Sequence, residues 1–166
     1  MIIGKVISGG QTGVDQAGLR AARTAGIPTG GTAPRGYLTE KGHEWTLLRS
    51  FGLVEHVSEK YPPRTAKNIR ESDVTILIYE DLGKGSKLTD QICGQQSKPC
   101  FHIRPSEFDS YRCTTLRVWL QEHRRKKGEP LVVNIAGSRE SKCPGIGRRT
   151  AAFLLVDIFV ALNDQA

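Results

Sequence analysis

The sequence predicts an α/β fold in which a mostly parallel central sheet lies between two layers of helices, giving a three-layer sandwich. Two runs, VTILIY at residues 74–79 and LVVNIA at residues 131–136, are apolar without alternation, as expected of strands covered on both faces. Strand-like and helix-like segments also alternate along the chain, which is typical of parallel strand–helix–strand units. With 166 residues the chain has room for one buried core, so we expect a single domain over residues 1–166.

The individual elements are predicted from hydrophobic periodicity and from end signals. Strands are expected at residues 2–8, 28–33, 53–57, 74–79, 99–103 and 131–136. Helices are expected at residues 14–25, 64–72, 86–96, 113–126 and 145–162. Gly26 is expected to end the first helix from the C′ position, and Ser86 to cap the helix that opens there. Residues 34–47, rich in glycine and charge, are predicted to form a loop.

Composition narrows the classes of partner. The net charge is +7 and the isoelectric point about 9.4, which favours polyanions and phosphorylated small molecules. No apolar run approaches the roughly 20 residues that span a bilayer, and the N-terminus lacks the features of a secretory signal, so we expect no membrane partner. The four cysteines show no CxxC spacing, although Cys100 and His102 lie two residues apart. We therefore predict reduced thiols, no metal site and a cytoplasmic location.

Ligands of parallel α/β sheets bind outside the carboxyl ends of the strands, so the loops that follow strands are the candidate site. Loop one, GGQTGVD at residues 9–15, joins glycines that allow close backbone approach to a helix N-terminus that attracts anions. Its spacing matches neither GxGxxG nor a Walker A loop. The alternative is a tight turn between strand and helix, capped by Thr12 or Asp15.

Later strand-end segments carry cationic or hydroxyl side chains near glycine. Arg64 is expected at a helix start, where a cation opposes the helix dipole and so suggests an anionic partner. GKGS at residues 83–86 offers a lysine and a serine to a phosphate. Together these loops predict a phosphate-bearing ligand at the carboxyl edge of the sheet. The residues predicted to contact it are Gly9, Gly10, Gln11, Thr12, Gly13, Asp15, Arg35, Arg64, Thr65, Asn68, Gly83, Lys84, Gly85, Ser86, Thr89, Gly137, Ser138 and Arg139.

The same loops, taken in order, resemble the motif series of the molybdenum cofactor carrier protein family. The motifs are SGGQTGVDQAGL, APRG with Glu40 and Gly42 beyond it, YPPRTAKNIRESDVTILI, GKGSKLT and NIAGSRESKCPGI, and the resemblance covers almost the whole chain. That family is similar to a wider Rossmann-like group, which includes cytokinin-activating (LOG-type) phosphoribohydrolases and DNA-processing protein A. The resemblance implies a Rossmann-like fold, a homo-oligomer (dimer or tetramer) and binding of a phosphorylated heterocycle. The family's ligand is the molybdenum cofactor (molybdopterin).

Binding is predicted ahead of catalysis. A pterin edge offers N–H donors that Asp15 or Glu140 could accept while cations hold the phosphate. The phosphoribohydrolases carry a PGGxGTxxE loop, whereas this chain has DLGKGSKLT without that glutamate. A hydrolase of nucleotides or nucleotide-derived ligands, with Asp15 or Glu140 as its acid–base group, stays as the alternative.

Single-stranded nucleic-acid binding is a third hypothesis. It depends on the basic run HRRKK, which contains residues Arg124 to Lys127. That run equally suits a helix C-terminus ahead of Gly128, where cations complement the helix dipole. No aromatic residues interleave with it, as a base-stacking surface would require. We therefore expect no nucleic-acid partner.

Overall fold

The computed structural model describes residues 1–163, which are organised around a six-stranded parallel sheet. The strands, in chain order, are β1 (Ile3–Ile7), β2 (Thr29–Ala33), β3 (Leu38–Thr39), β4 (Gly42–His43), β5 (Leu53–Glu55), β6 (Val74–Ile78), β7 (Cys100–Ile103) and β8 (Leu131–Gly137). The sheet order is β5–β2–β1–β8–β6–β7, and each neighbouring pair is parallel. Strands β3 and β4 form a separate antiparallel hairpin. The predicted α/β fold with a mostly parallel sheet is therefore confirmed.

Helices connect the strands. They are α1 (Val14–Thr24), α2 (Trp45–Ser50), α3 (Tyr61–Glu71), α4 (Lys84–Gln95), α5 (Ser110–Lys127), α6 (Ile146–Ala152), a π-helical segment (Phe153–Val160) and α7 (Ala161–Asn163). Short 3₁₀ turns occupy Arg35–Tyr37 and Pro105–Glu107. Across residues 1–163, no helix combines the length and apolar character needed to cross a membrane.

The helices cover both faces of the sheet. Helices α1, α5 and α6, with the π-helical segment, share the largest apolar cluster with one face, whereas α3 and α4 pack together on the other. Strand β6 is buried along its whole length because its alternate side chains enter opposite layers. Ile76 joins the cluster beneath α1 and α5, and Leu77 joins the smaller cluster on the α4 side. This arrangement explains the unbroken apolar run that predicted the strand.

Two helix ends follow their sequence signals. Gly26 adopts a left-handed φ of 73°, and its N–H bonds to the carbonyl of Arg23, so the predicted end of α1 is confirmed. Helix α5 begins at Ser110, three residues before the predicted start, and its N-cap Asp109 accepts the N–H of Arg112 at 2.8 Å. It ends at left-handed Gly128, with the basic run in its last turn.

The predicted loop at residues 34–47 is wrong. This stretch contains a 3₁₀ turn, the β3–β4 hairpin and the start of α2. Leu48 of α2 and the following Phe51 are buried in a cluster with Leu53 of β5, so tertiary packing stabilises these short elements. Two-residue strands and a six-residue helix are too short to produce a readable periodicity.

The starts of α3 and α4 also differ from prediction. Helix α3 begins at Tyr61, with prolines in its first turn, so Arg64 lies within the helix rather than at its start. Helix α4 begins at Lys84, with extended Gly83 at the N-cap position, so Ser86 lies in the first turn and is not the cap. The carbonyl of Gly83 accepts the first helical hydrogen bond from Lys87 at 2.9 Å, which sets this start.

The strand order reverses direction at one edge of the sheet, and this switch point is called here the crevice. The chain moves from β1 through α1 to β2 in one direction, and from β6 through α4 to β7 in the opposite direction. Strand β8 lies between β1 and β6. The loops after these three strands therefore meet where ligands of open α/β sheets bind.

Candidate ligand-binding site

Loop one is packed against the rest of the protein. A Cβ added to Gly9 would lie 1.5 Å from Nη1 of Arg64, and one added to Gly13 would lie 2.5 Å from the carbonyl oxygen of Ser138. Gly10 has a φ of 77°, and a Cβ there would lie 2.8 Å from the side chain of Leu53. The close approaches that these glycines permit are thus made by protein groups.

The turn into α1 and the turn after β8 are joined by the backbone. The N–H of Val14 donates to the carbonyl of Ser138 at 3.1 Å. A Cβ on Gly137 would lie 1.9 Å from the carbonyl oxygen of Ile78, so the end of β8 also approaches β6 closely. Gly13 and Gly137 therefore hold three strand-end loops together.

Asp15 is buried behind loop one, with 3% of its surface exposed. Its Oδ2 accepts the N–H of Gln11 at 3.3 Å and lies 3.5 Å from Nη1 of Arg64. Burial raises the pKa of Asp15 above its ordinary value, and the charge of Arg64 opposes this shift. The anionic partner that the position of Arg64 suggested is thus supplied by Asp15.

Glu40 connects three segments around the crevice. Its carboxylate accepts the hydroxyl of Thr12, the hydroxyl of Ser141 and the Ser141 N–H at 3.1 Å. Nε of Arg139 lies 4.0 Å away. Although burial acts to raise the pKa of Glu40, hydrogen bonds from Ser141 and Thr12 and the charge of Arg139 hold it below its ordinary value. An ionised Glu40 therefore links loop one, the β3–β4 hairpin and the loop after β8.

Tyr61 forms a second connection at the same place. Its hydroxyl accepts Nε2 of Gln11 at 3.2 Å. The guanidinium of Arg64 lies 5.6 Å from the ring centroid and that of Arg139 lies 5.5 Å from it. The tyrosine ring and two guanidinium groups thus form a cationic, aromatic surface beside loop one, called here the Tyr61 surface.

Glu40, Tyr61 and Ser141 were not among the predicted contact residues. Glu40 belongs to the hairpin that the sequence indicated only as a loop, and Tyr61 begins a helix that was predicted to start later. The signal that could have found them is the resemblance itself, because all three residues lie within or beside its motifs.

Four predicted contact or catalytic residues are engaged with protein groups. The Glu140 carboxylate accepts the N–H groups of Gly145 at 2.5 Å and Gly147 at 3.0 Å, so it caps α6. The Asn68 amide accepts the N–H of Thr32 and donates to its carbonyl. The Thr65 hydroxyl donates to the Tyr61 carbonyl. Exposed Arg35 forms an ion pair with Glu59 at 2.7 Å.

The N-terminus of α4 has open space beside it. The N–H groups of Lys84, Gly85 and Ser86 find no acceptor within the described residues, and this helix has neither a side-chain cap nor an acidic residue in its first turn. A Cβ on Gly85 would have no atom within 4 Å. Ser86 lies in this first turn with 5% of its surface exposed. Thr89 donates to the Gly85 carbonyl at 3.1 Å, one turn further along.

The basic run lies at the opposite edge of the sheet. It forms the last turn of α5, immediately before β8 begins. Lys127 pairs with Asp73 at 2.7 Å and also donates to the carbonyl of Pro130. These cations are therefore directed to a helix C-terminus and are remote from the crevice.

The fold defines a Rossmann-like α/β protein, and the carboxyl edge of its sheet is the candidate ligand-binding site. A sequence model of the circularly permutated YpsA SLOG family matches residues 6–157, so the chain belongs to this family. The chain is also similar to a crystal structure at 1.45 Å named "Putative molybdenum carrier protein", from Syntrophus aciditrophicus SB. The TM-score is 0.83 and the sequence identity 37%, covering 96% of each chain. A search of curated proteins found no match.

These comparisons confirm the predicted resemblance and support a ligand-binding role.

Proposed function

We propose that this protein binds and carries a phosphorylated heterocyclic small molecule, with the phosphate at the N-terminus of α4. The observation that carries the proposal is the set of donors there: three backbone N–H groups without an acceptor in the described residues, and the Ser86 hydroxyl in the same turn. A helix N-terminus also presents the positive end of its dipole, and Lys84 adds a full charge. Phosphate oxygens are the acceptors that best satisfy such a group of donors.

The ring of the ligand would lie against the Tyr61 surface. Loop one and the start of α4 follow strands that are separated by β8, so they are about 10 Å apart. A pterin or purine joined to a phosphate is long enough to reach from loop one to the start of α4. Tyr61 supplies a stacking face, and Arg139 supplies donors to ring carbonyls or to a further phosphate.

Asp15 has a supporting role in this proposal. It is covered by Arg64 and Gln11, so it orients the guanidinium and loop one rather than accepting a ring N–H directly. Glu140 is similarly committed to capping α6. We therefore assign recognition of ring donors to the Glu40 carboxylate, which lies 4.0 Å from Nε of Arg139.

The molybdenum cofactor is our proposed ligand within this class. It is a pterin with a terminal phosphate, and the similar structure from Syntrophus aciditrophicus SB is named for molybdenum. The net charge of +7 on the protein favours an anionic ligand of this kind. The same site chemistry also fits nucleoside monophosphates, so the experiment must separate these two ligands.

Isothermal titration of the full chain with paired ligands tests the proposal. A phosphorylated pterin and a nucleoside monophosphate are each compared with the dephosphorylated compound. We expect saturable binding of a phosphorylated member only, and about tenfold or greater weakening in a Lys84→Ala/Ser86→Ala double variant, because charge-assisted hydrogen bonds are lost. Lys126→Ala, at the opposite edge, is the matched control and should bind normally. Equal binding by the double variant would refute the phosphate position, and no binding of any phosphorylated ligand would refute the function.

The hydrolase hypothesis receives less support. Its two candidate acid–base groups, Asp15 and Glu140, are occupied by Arg64 and by the α6 N-terminus respectively. Incubation with nucleoside monophosphates, followed by chromatography for free base and free phosphate, should therefore show no turnover above that of buffer. Turnover that is abolished in Asp15→Asn would restore the enzyme hypothesis.

We also propose that the protein self-associates through the π-helical segment. Val156 and Val160 are apolar side chains on this segment with 61% and 40% exposure. Beside Val156 lies an open groove of about 430 Å³ that Phe108 and Phe153 help to line. Burying these side chains against a second copy would remove apolar surface from water.

A further inference from the structure

A cluster of side chains that could ligate a metal ion lies between α4 and the edge strand β7. Asp90 of α4 and Cys100 and His102 of β7 each offer one possible metal-ligand atom, and these atoms all lie within 4.8 Å of one another. Cys100 and His102 are two residues apart on a strand, so they share a face, and α4 covers that face. A helix and an edge strand thus converge on one position.

The histidine ring is held in a defined orientation. Its Nε2 lies 3.0 Å from Oδ1 of Asp90, and its Nδ1 lies 3.2 Å from the hydroxyl of Tyr79. The Tyr79 ring meets the imidazole edge-on, with centroids 5.8 Å apart. Metal-binding histidines typically have their second nitrogen fixed by such an outer partner, which leaves the first nitrogen directed at the metal.

The surroundings add a second sulfur and access to solvent. Cys93 lies three residues after Asp90 on α4, and its thiol is in hydrogen-bond contact with that of Cys100. Both thiols are free. The Asp90 and His102 side chains are 46% and 34% exposed, so an ion can reach the cluster from solvent. Arg112 donates to the backbone carbonyl of His102 at 2.6 Å and so steadies this part of β7.

We propose that Asp90, Cys100 and His102 form a site for a borderline-soft divalent metal such as Zn²⁺, with a fourth position open to solvent or to a further ligand. Thiolate, imidazole and carboxylate together favour zinc-type ions over Mg²⁺ or Ca²⁺, which prefer oxygen ligands. Three protein ligands with an open position are typical of exchangeable or catalytic zinc, whereas structural sites have four. The proposal is independent of the phosphate site at the α4 N-terminus.

Sequence spacing could not reveal this site. Zinc motifs are recognised by close pairs such as CxxC, and here Asp90 and Cys100 are brought together only because β7 pairs with β6 while α4 lies over both. Binding through Nε2 would leave the imidazole proton on Nδ1, where the Tyr79 hydroxyl can accept it, and would release the thiol proton of Cys100 to solvent. Metal affinity should therefore fall as the pH is lowered.

Metal titration of the chelator-treated full chain tests the proposal. Zn²⁺ is titrated by calorimetry, and Co²⁺ is used as a spectroscopic probe. We expect one ion per chain and a thiolate-to-cobalt charge-transfer band. Both should be lost in Cys100→Ser and in His102→Gln, whereas Cys143→Ser, at a half-buried thiol outside the cluster, should behave like wild type. Tyr79→Phe should bind about tenfold more weakly, because the orienting partner of His102 is lost.

The design distinguishes a lost ligand from a lost fold. Asp90→Asn alters a half-exposed side chain, so that variant should fold normally and still bind Zn²⁺ more weakly. Circular dichroism and thermal melting check every variant. Unchanged stoichiometric binding in folded Cys100→Ser and His102→Gln, or a wild-type chain without saturable Zn²⁺ binding, would overturn the proposal.

Discussion

Glycines at the carboxyl edge of the sheet fall into two groups that differ in what surrounds them. Gly9, Gly10 and Gly13 are enclosed by protein atoms, and the last two have left-handed φ angles. Gly83 and Gly85 at the start of α4 face open space. The first group therefore preserves the architecture of the edge, whereas the second leaves room for a ligand to approach the backbone.

Gly13→Ala should lower the free energy of unfolding by about 2 kcal/mol or more, because it combines backbone strain with a backbone clash. Gly13 has a φ of 78°, and the added Cβ would lie 2.5 Å from the Ser138 carbonyl oxygen. The control is Gly94→Ala in α4, where nothing lies within 4 Å of the new methyl group. That change should raise the free energy of unfolding by about 0.5 kcal/mol, because alanine is the better helix former. Urea denaturation measures both, and equal effects would contradict the packing assigned to Gly13.

Glu40→Gln should destabilise the protein in a manner that depends on pH. The folded pKa of Glu40 lies below its ordinary value, so its contribution is fully present above about pH 4.3 and is lost as the pH falls through the folded pKa. We expect about 1–2 kcal/mol of destabilisation at neutral pH, because hydrogen bonds to a charged acceptor are weakened. The difference from wild type should vanish in acid. Glu122→Gln, at an exposed position, is the control. A difference that stayed constant from neutral pH to pH 3 would contradict an ionised Glu40.

For individual residues, the sequence identified members of the candidate site more successfully than it identified the partners of those residues. The position of Arg64 suggested an anion, but its partner, Asp15, is 49 residues away along the chain. Asp15 itself was predicted to face the ligand, and the structure places it beneath the guanidinium. Pairings of this kind depend on tertiary contacts, which a single sequence does not encode in any local pattern.

Among the elements, those with long or uniform patterns were predictable. The buried strands β6 and β8 were recognised because unbroken apolar runs of this length are typical of covered strands. Helix α2 was missed because only one of its six residues, Leu48, is buried. The start of α4 was missed because glycine capped it in place of the expected serine. Short elements are stabilised by their neighbours, so local sequence says little about them.

A substitution at the N-cap of α4 should change protein stability and ligand binding in opposite directions. Gly83 has the extended backbone of an N-cap residue and contributes no side-chain cap, so other residues fit there without strain. Gly83→Asp should raise the free energy of unfolding by about 0.5 kcal/mol, because the carboxylate caps the helix and complements its dipole. The same carboxylate should repel a phosphate and abolish ligand binding.

Gly83→Ser separates the two effects. Serine caps the helix without adding charge, so it should stabilise the protein by a few tenths of a kcal/mol and retain ligand binding. Thermal unfolding, recorded with and without the phosphorylated ligand, measures both properties. Unimpaired binding in Gly83→Asp would show that the phosphate lies elsewhere.

For the whole molecule, topology brings together what the sequence disperses. Loop one begins near the N-terminus and the loop after β8 near the C-terminus, yet β1 and β8 are neighbours in the sheet. Glu140 and Thr12 are 128 residues apart and are joined by a hydrogen bond of 3.3 Å. The general position of the candidate site followed from the parallel sheet, whereas the strand order that assembles it required the structure.

Self-association, proposed above, is a property of the whole chain. If the π-helical segment forms a subunit interface, Val156→Asp should convert an oligomer into a monomer, because a carboxylate would be buried in an apolar contact. Val57→Asp is the matched control, since Val57 is 84% exposed and lies in a loop far along the chain from this segment. Size-exclusion chromatography with light scattering measures the native mass of wild type and both variants. We expect a dimer or tetramer for wild type and Val57→Asp, and a monomer for Val156→Asp. A monomeric wild type would refute self-association, and an oligomeric Val156→Asp would place the interface on another surface.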